Sequence, residues 1–292
     1  LCGKLMKDIV INANVLKRDG TLDGSGTKTF LPWLQISYFW GTFDGQGYKI
    51  SGVYMPGTNG MVSNILARAD GNPTIIRNLT IVDSYADGSG LVSYADNPLT
   101  IDNCHFKGYN DMSGSNSLVG LGGLVGRAQT NLVIKNSSYE GKMYSDGLAY
   151  IGGLVGCSYE NLTLVQNFSK GTAYLESDTS YYSSSSDYWV YVPRAGSLVG
   201  NLLGNALVVN NYSVFDMNGL GKGLLGGLVG DYAGVRYMVS REAVEVRPLQ
   251  SYILNNYNMG LFSDEYELGG YSNKWTVENN FYFAQEGVES DG

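Results

Sequence analysis

Few side chains in this sequence have the chemistry to act on a substrate. There is one histidine, His105, and three cysteines, Cys2, Cys104 and Cys157. Cys104 and Cys157 occupy repeat positions, and all three read as small core or turn residues, with a single disulfide among them left open. Their spacing matches no metal site and no even disulfide framework. Glycoside hydrolysis needs two or three converging acids, but Asp83, Asp87, Asp96, Asp102 and Asp111 lie scattered near turns, without an Asp-Asp or Asn-x-Asp string. Arg68, Arg77 and Arg127 are isolated, so no base stands beside an acid cluster as a lyase would want. The Asp-Gly pairs at Asp23, Asp44 and Asp87 lack the nonapeptide period of calcium-binding repeats and read as turns. The expectation is therefore no catalytic residue, no metal and no cofactor.

Binding chemistry is better represented. Tyr181, Tyr182, Tyr188, Trp189 and Tyr191 crowd one Ser-rich stretch. Tyrosine and tryptophan combine a flat apolar face with a polar edge, suited to stacking on sugars or seating a protein. The competing reading is that these rings fold back over a flank of the protein.

These residues must be positioned by something repetitive. Gly152-Gly153-Leu154-Val155-Gly156 recurs as Gly122-Gly123-Leu124-Val125-Gly126 and Gly226-Gly227-Leu228-Val229-Gly230, with looser copies around Val62, Val92 and Val199. Seven residues after Val92, Val125 and Val155 a second motif opens, at Leu99, Leu132 and Leu162. Its first and third places are apolar (Leu99, Ile101; Leu132, Ile134; Leu162, Leu164) and its fifth is an amide. Period-two alternation marks a strand with one buried face. His105, Ser138 and Phe168 share one place in this motif, so His105 reads as a coil position rather than a base.

A unit of about 30 residues with two or three short strands and glycine corners is a stacking unit. Glycine serves such corners where φ is positive or where one backbone passes close to another. The fold expected is all-β, a parallel β-helix (β-solenoid) of about seven to eight coils rising about 4.8 Å each. The fifth-place amides, Asn78, Asn103, Asn136, Gln166, Asn211, Asn256 and Asn279, are expected to form a column bonded layer to layer. Residues 1–58 read as N-terminal capping coils, with an aromatic cluster around Trp33 to Phe43 closing the core. Repeats follow over 59–283, interrupted by insertions at 172–195 and 231–250, and 284–292 reads as a tail. The second insertion reads as either a hairpin or a short helix. The lack of an initiator Met or signal peptide suggests a piece of a larger chain.

Composition narrows the function. Net charge is −8 and charged residues are only 16% of 292. Nucleic acid needs clustered Lys and Arg, and an anionic bilayer surface needs a basic patch, so neither partner is expected. No apolar run is long enough to insert in a membrane.

The repeated Gly-Gly-Leu-Val-Gly, the Ile-x-Asn that follows it and the leading string from Gly41 to Gly52 resemble the GLUG-motif repeat proteins of bacterial cell surfaces. The segment from Lys4 to Leu16 also looks like the one preceding those repeats. The resemblance covers nearly the whole chain apart from the two insertions. It implies a right-handed, single-stranded parallel β-helix, exported as a module of an adhesin or cell-wall-associated protein, and it supplies no catalytic residues. The expected function is a non-catalytic extracellular spacer or adhesin module, contacting a glycan or a cell-surface protein. Two alternatives stand beside it: a polysaccharide lyase or hydrolase on the same scaffold, and a self-associating fibre subunit joined through open end coils.

Overall fold

The computed structural model describes all residues except 1, 25–27, 35, 37–38, 57–72, 114–118, 148, 177–180, 183–189, 192–193, 219–223, 233–235, 240–242, 247–250, 259–274, 279 and 283–292. Among the described residues every regular element is a strand, and no helix is long and apolar enough to cross a membrane.

One coil shows how the sequence is used. Ala149–Gly152 runs to a bend at Gly153 and Leu154, and Val155–Ser158 follows. After a second bend come Leu162–Val165, a corner at Gln166 and Asn167, and Phe168–Leu175. Each segment pairs in parallel with its counterpart above and below: Leu99, Leu132, Leu162 and Ala206 are successive partners, as are Val92, Val125, Val155, Val199 and Val229. Equivalent residues therefore lie over one another, and the chain is a β-solenoid. The first coils join the same stack, with Cys2–Lys4 on Thr42–Asp44 and Ile9–Val10 on Lys49–Ser51.

The first and third motif places point inward. Ile101, Ile134, Leu164 and Val208 are fully buried, each contributing about 1.5–3 kcal/mol by leaving water. At the N-terminal end, Phe39 is buried edge-on to Phe43. These rings and Trp33 line an apolar cavity of about 170 Å³ with Leu5, Ile50 and Ile76.

The corner glycines answer to close approach, not to dihedral freedom. None of those in the Gly-Gly-Leu-Val-Gly motifs that the structure describes has positive φ. A Cβ on Gly152 would stand 1.9 Å from the Val155 carbonyl oxygen, and one on Gly153 2.1 Å from that of Ser197. Two sheets meet there backbone to backbone, and only hydrogen fits. Leu124, Leu154 and Leu198, between the glycines, are fully buried.

The amides divide into two adjacent columns. Asn78, Asn103, Asn136, Gln166, Asn210 and Asn255 all have φ between 52° and 56°. This is the left-handed region, which asparagine tolerates best among residues with a side chain. Asn103, Asn136 and Gln166 are exposed there. The inward column is one residue further on: Asn167, Asn211, Asn256 and Asn280. The backbone N–H of Asn167 donates to Asn211 Oδ1, that of Asn211 to Asn256 Oδ1, and that of Asn256 to Asn280 Oδ1, each at 2.9 Å. Each Nδ2 donates back to a carbonyl one coil below, those of Ile134, Leu164, Val208 and Ile253. Ser137 and Cys104 continue the column: Cys104 N–H donates to Ser137 Oγ and Ser137 N–H to Asn167 Oδ1, both at 3.0 Å.

The expected single column thus corrects to two. Asn211 and Asn256 belong to the inward ladder, Asn78, Asn103, Asn136 and Gln166 to the corner column, and Asn279 lies outside the described residues. The cause is a one-residue slip in reading the coil after the first insertion. Leu207 looks like the motif's apolar first place but is 39% exposed, and Ala206 is the inward partner of Leu162. A shift of one residue turns every strand side chain to the opposite face.

Both insertions are shorter than the sequence suggests. Residues 172–175 pair with 142–145 inside the stack, and Arg194–Gly196 has already rejoined it. Val229–Tyr232 likewise reaches into the second. Each insertion holds an antiparallel pair, Tyr181–Tyr182 with Val190–Tyr191 and Arg236–Val239 with Ala243–Val246, so the second is a hairpin rather than a helix.

Candidate binding surface

Along the strands that end in Asp87, Met112, Ser145 and Leu175, alternate side chains face out of the stack. Register places Tyr85, Tyr109, Lys142 and Thr172 over one another, and beside them Asp87, Asp111, Tyr144 and Tyr174. The result is a surface of phenol rings and carboxylates that spans several coils.

Phe30, Tyr54, Tyr85 and Tyr109 form a run of rings with centroids 5.2, 5.6 and 5.7 Å apart. Tyr144 and Tyr174 stack at 6.1 Å with planes 5° apart. Rings stacked between coils show solvent their edges and hydroxyls. Tyr174 differs: its partner in the next coil is Asn218, so among the described residues no ring covers its second face, and the side chain is 45% exposed.

The hydroxyls of Tyr85, Tyr109 and Tyr144 are held protonated. Burial raises the Tyr85 phenol well above its usual value, and the Asp111 and Asp87 carboxylates add to it. Tyr109 is raised in the same way by burial and Asp111. Tyr144 donates to Glu176 Oε2 at 2.6 Å, a bond that lifts its phenol to about 12. The surface therefore combines hydroxyl donors, carboxylate acceptors and one ring face that no described ring covers, which suits a ligand rich in hydroxyls with an apolar side to stack.

An N-terminal arm borders this surface. Val15 and Leu16 donate their backbone N–H groups to the Asp83 carboxylate at 3.1 and 2.9 Å. Asn12 reaches the Gly52 and Leu31 carbonyls, and Gly20 lies against the Lys142 stem.

Among the residues singled out in the sequence, the backbones of Tyr181, Tyr182 and Tyr191 lie in the first hairpin, while their side chains and all of Tyr188 and Trp189 lie outside the described residues. His105 pairs in register with Ser138, and Ser138 with Phe168. Its Nδ1 is 2.8 Å from Ser138 Oγ and its Nε2 3.3 Å from Asn103 Oδ1, and burial lowers its pKa. Arg77 is paired with Asp44 at 2.9 Å; Arg68 lies outside the described residues. The three cysteines are free, and burial lifts the Cys104 and Cys157 thiols to about 12. Among the described residues no group of three or more His, Cys, Asp or Glu stands close enough to hold a metal ion.

Sequence reasoning missed the pairing of Asp87 with Asp111 and the alignment of Tyr144 with Tyr174. The second was readable, since both fall at one offset from the repeat's Gly141 and Gly171. The first was hidden by a shorter coil between the two acids.

No family model matches the chain, and no curated protein matches it. Among solved structures it is similar to an IgA1 protease, at 18% identity and a TM-score of 0.46. That match covers 80% of this chain and 20% of the other, so the chain spans about a fifth of that protein's length.

Proposed function

We propose that this chain is a non-catalytic module of an extracellular bacterial surface protein, a right-handed β-helix of about seven to eight coils that holds a glycan or a partner protein. The carrying observation is the tyrosine–carboxylate surface that ends at the open face of Tyr174. Contact runs across Tyr109, Asp111, Tyr144, Tyr174 and Glu176, and extends to Tyr181, Tyr182 and Tyr191 of the hairpin that follows in the sequence. The likeness of the repeats to GLUG-motif surface proteins supports the same reading.

A glycan array tests it with the intact chain, Tyr174→Ala, and a variant with residues 177–193 replaced by a short turn. Stacking on the open ring face predicts about tenfold weaker binding for Tyr174→Ala, equal to 1.4 kcal/mol. Binding that both variants leave untouched would put the contact elsewhere.

One observation favours a second reading, a polysaccharide hydrolase. Asp87 and Asp111 are register partners on adjacent strands, and carboxyl pairs about 5–5.5 Å apart serve retaining glycosidases. Release of reducing ends from plant or bacterial polysaccharide, abolished by Asp111→Asn, would establish that reading over the first.

A further inference from the structure

The apolar cavity at the N-terminal end of the stack has a cause in the sequence and an opening to solvent. Cys2–Lys4 begins the stack, and its Gly3 holds the register position that Phe43, Ile76 and Ile101 fill in the following coils. The first layer thus adds no side chain to the core there. The Phe43 ring leans towards the gap, since a Cβ on Gly3 would stand 3.0 Å from Phe43 Cδ2. About 170 Å³ remains between Leu5, Trp33, Phe39, Phe43, Ile50 and Leu91. Ile9 and Ile36 line the same space and are 36% and 38% exposed, so it reaches solvent beside them.

The lining decides what can enter. Among the described residues its one hydroxyl is that of Ser89, which already accepts the Gly122 N–H at 3.0 Å and donates to the Gly120 carbonyl at 3.5 Å. A water needs about two to four polar partners, whereas an apolar cavity of about 150 Å³ stays dry and takes up benzene. Phe39 stands edge-on to Phe43, with centroids 6.3 Å apart, and Trp33 adds a third ring, so a further ring can meet edges or faces. The first coil supplies charge. Lys4 and Lys7 flank Leu5 in the chain, are exposed, and belong to no ion pair among the described residues. Asp8, the acid of this coil, is engaged: its Oδ1 accepts the Lys49 N–H at 3.0 Å and its Oδ2 lies 3.9 Å from Lys49 Nζ.

We propose that this cavity binds a small aryl carboxylate, its ring among Trp33, Phe39 and Phe43 and its carboxylate turned outward to the lysine-bearing first coil. The buried part must be hydrocarbon, because the lining offers no free polar group to pair with. The exposed part is favoured as an anion, because the unmatched charges of that coil are positive. The site lies inside the stack, is independent of the tyrosine surface, and neither reading depends on the other.

Calorimetric titration of the intact chain with 3-phenylpropionate, 3-phenylpropanol and 3-phenylpropylamine tests the site, with tryptophan fluorescence as a second readout. The acid is expected to bind, to raise the thermal midpoint and to shift an emission that Trp33→Phe removes. The alcohol should bind about threefold more weakly and the amine about tenfold, with the spread narrowing as salt rises. Replacing both lysines, Lys4→Gln with Lys7→Gln, should bring acid and alcohol to equal affinity. Ile50→Phe, which fills the cavity, should abolish binding, and Tyr174→Ala should leave it unchanged. Should Ile50→Phe fail to fold, Ile9→Phe at the opening decides: affinity equal to that of the unmodified chain overturns the proposal. So does absence of binding by the acid, or an alcohol bound as tightly as the acid in the unmodified protein. Binding that Ile50→Phe leaves intact would also overturn it, and would move the contact to the outer side chains of Met6, Val10 and Leu34, which are 68%, 68% and 86% exposed.

Discussion

Replacing Asn211 by alanine isolates what the inward ladder contributes. The Asn211 Oδ1 accepts from the backbone N–H and the Nδ2 of Asn167, at 2.9 and 3.0 Å. Its Nδ2 donates to the Leu164 and Val209 carbonyls and to Asn256 Oδ1. Truncation leaves the Asn167 N–H buried without an acceptor, a loss of about 1–3 kcal/mol for such a group, and removes the bonds to the carbonyls at about 1 kcal/mol more. A total near 3 kcal/mol is expected. Asn161→Ala is the matched control: Asn161 bonds Asn131 and Asn205 at 2.9 Å in a similar stack, but on the exposed side. Water replaces those bonds, so about 0.5 kcal/mol or less should be lost. Urea unfolding of both variants gives the difference, and hydrogen exchange locates it, because the Asn167 amide should lose protection in Asn211→Ala. Two variants of equal stability, or an Asn167 amide as protected as before, would refute the idea that burial makes this ladder count.

Further tests probe the corners and the titrating groups. Gly153→Ala is expected to prevent folding of its coil, since the new methyl would press on the Ser197 carbonyl at 2.1 Å; soluble protein with native circular dichroism would contradict this. A thiol reagent at neutral pH should react at once with the exposed Cys2 and only after denaturation with Cys104 and Cys157. The same two thiols, with Tyr159, have folded pKa values raised to about 12. A raised folded value contributes stability that is complete below the unfolded pKa and is lost as pH rises through the folded one. Urea midpoints should therefore hold up to about pH 9 and fall from there towards 12; a midpoint constant over that interval would contradict the burial of these groups.

Much of the fold can be read in the sequence because translation repeats the same physical problem in each coil. The alternation of Leu132 with Ile134 and of Leu162 with Leu164 reports the buried face directly. What fails to show is anything decided between coils. A string containing Ala206 and Leu207 does not say which faces in, since hydrophobicity favours the leucine while register selects the alanine. The glycine corners were visible, but whether dihedral or contact demanded them depends on the backbone of the next coil. The same limit hid the binding surface. Asp87 and Asp111 acquire meaning only as neighbours across a strand pairing that sequence distance does not fix, whereas Tyr144 and Tyr174 share one offset in the repeat.

The inward ladder has a direction. Every corner N–H from Cys104 to Asn256 is satisfied by a side chain from the coil laid down after it. A layer on a ribosome-bound chain thus stays unfinished until its successor arrives. Trimming from the C-terminal side strips the acceptor from the last remaining corner N–H, whereas trimming from the other side strips a carbonyl from an Nδ2 that, at Asn167 or Asn211, keeps its bond to the next Asn Oδ1. Shortened versions should accordingly tolerate loss of their beginning better than loss of their end.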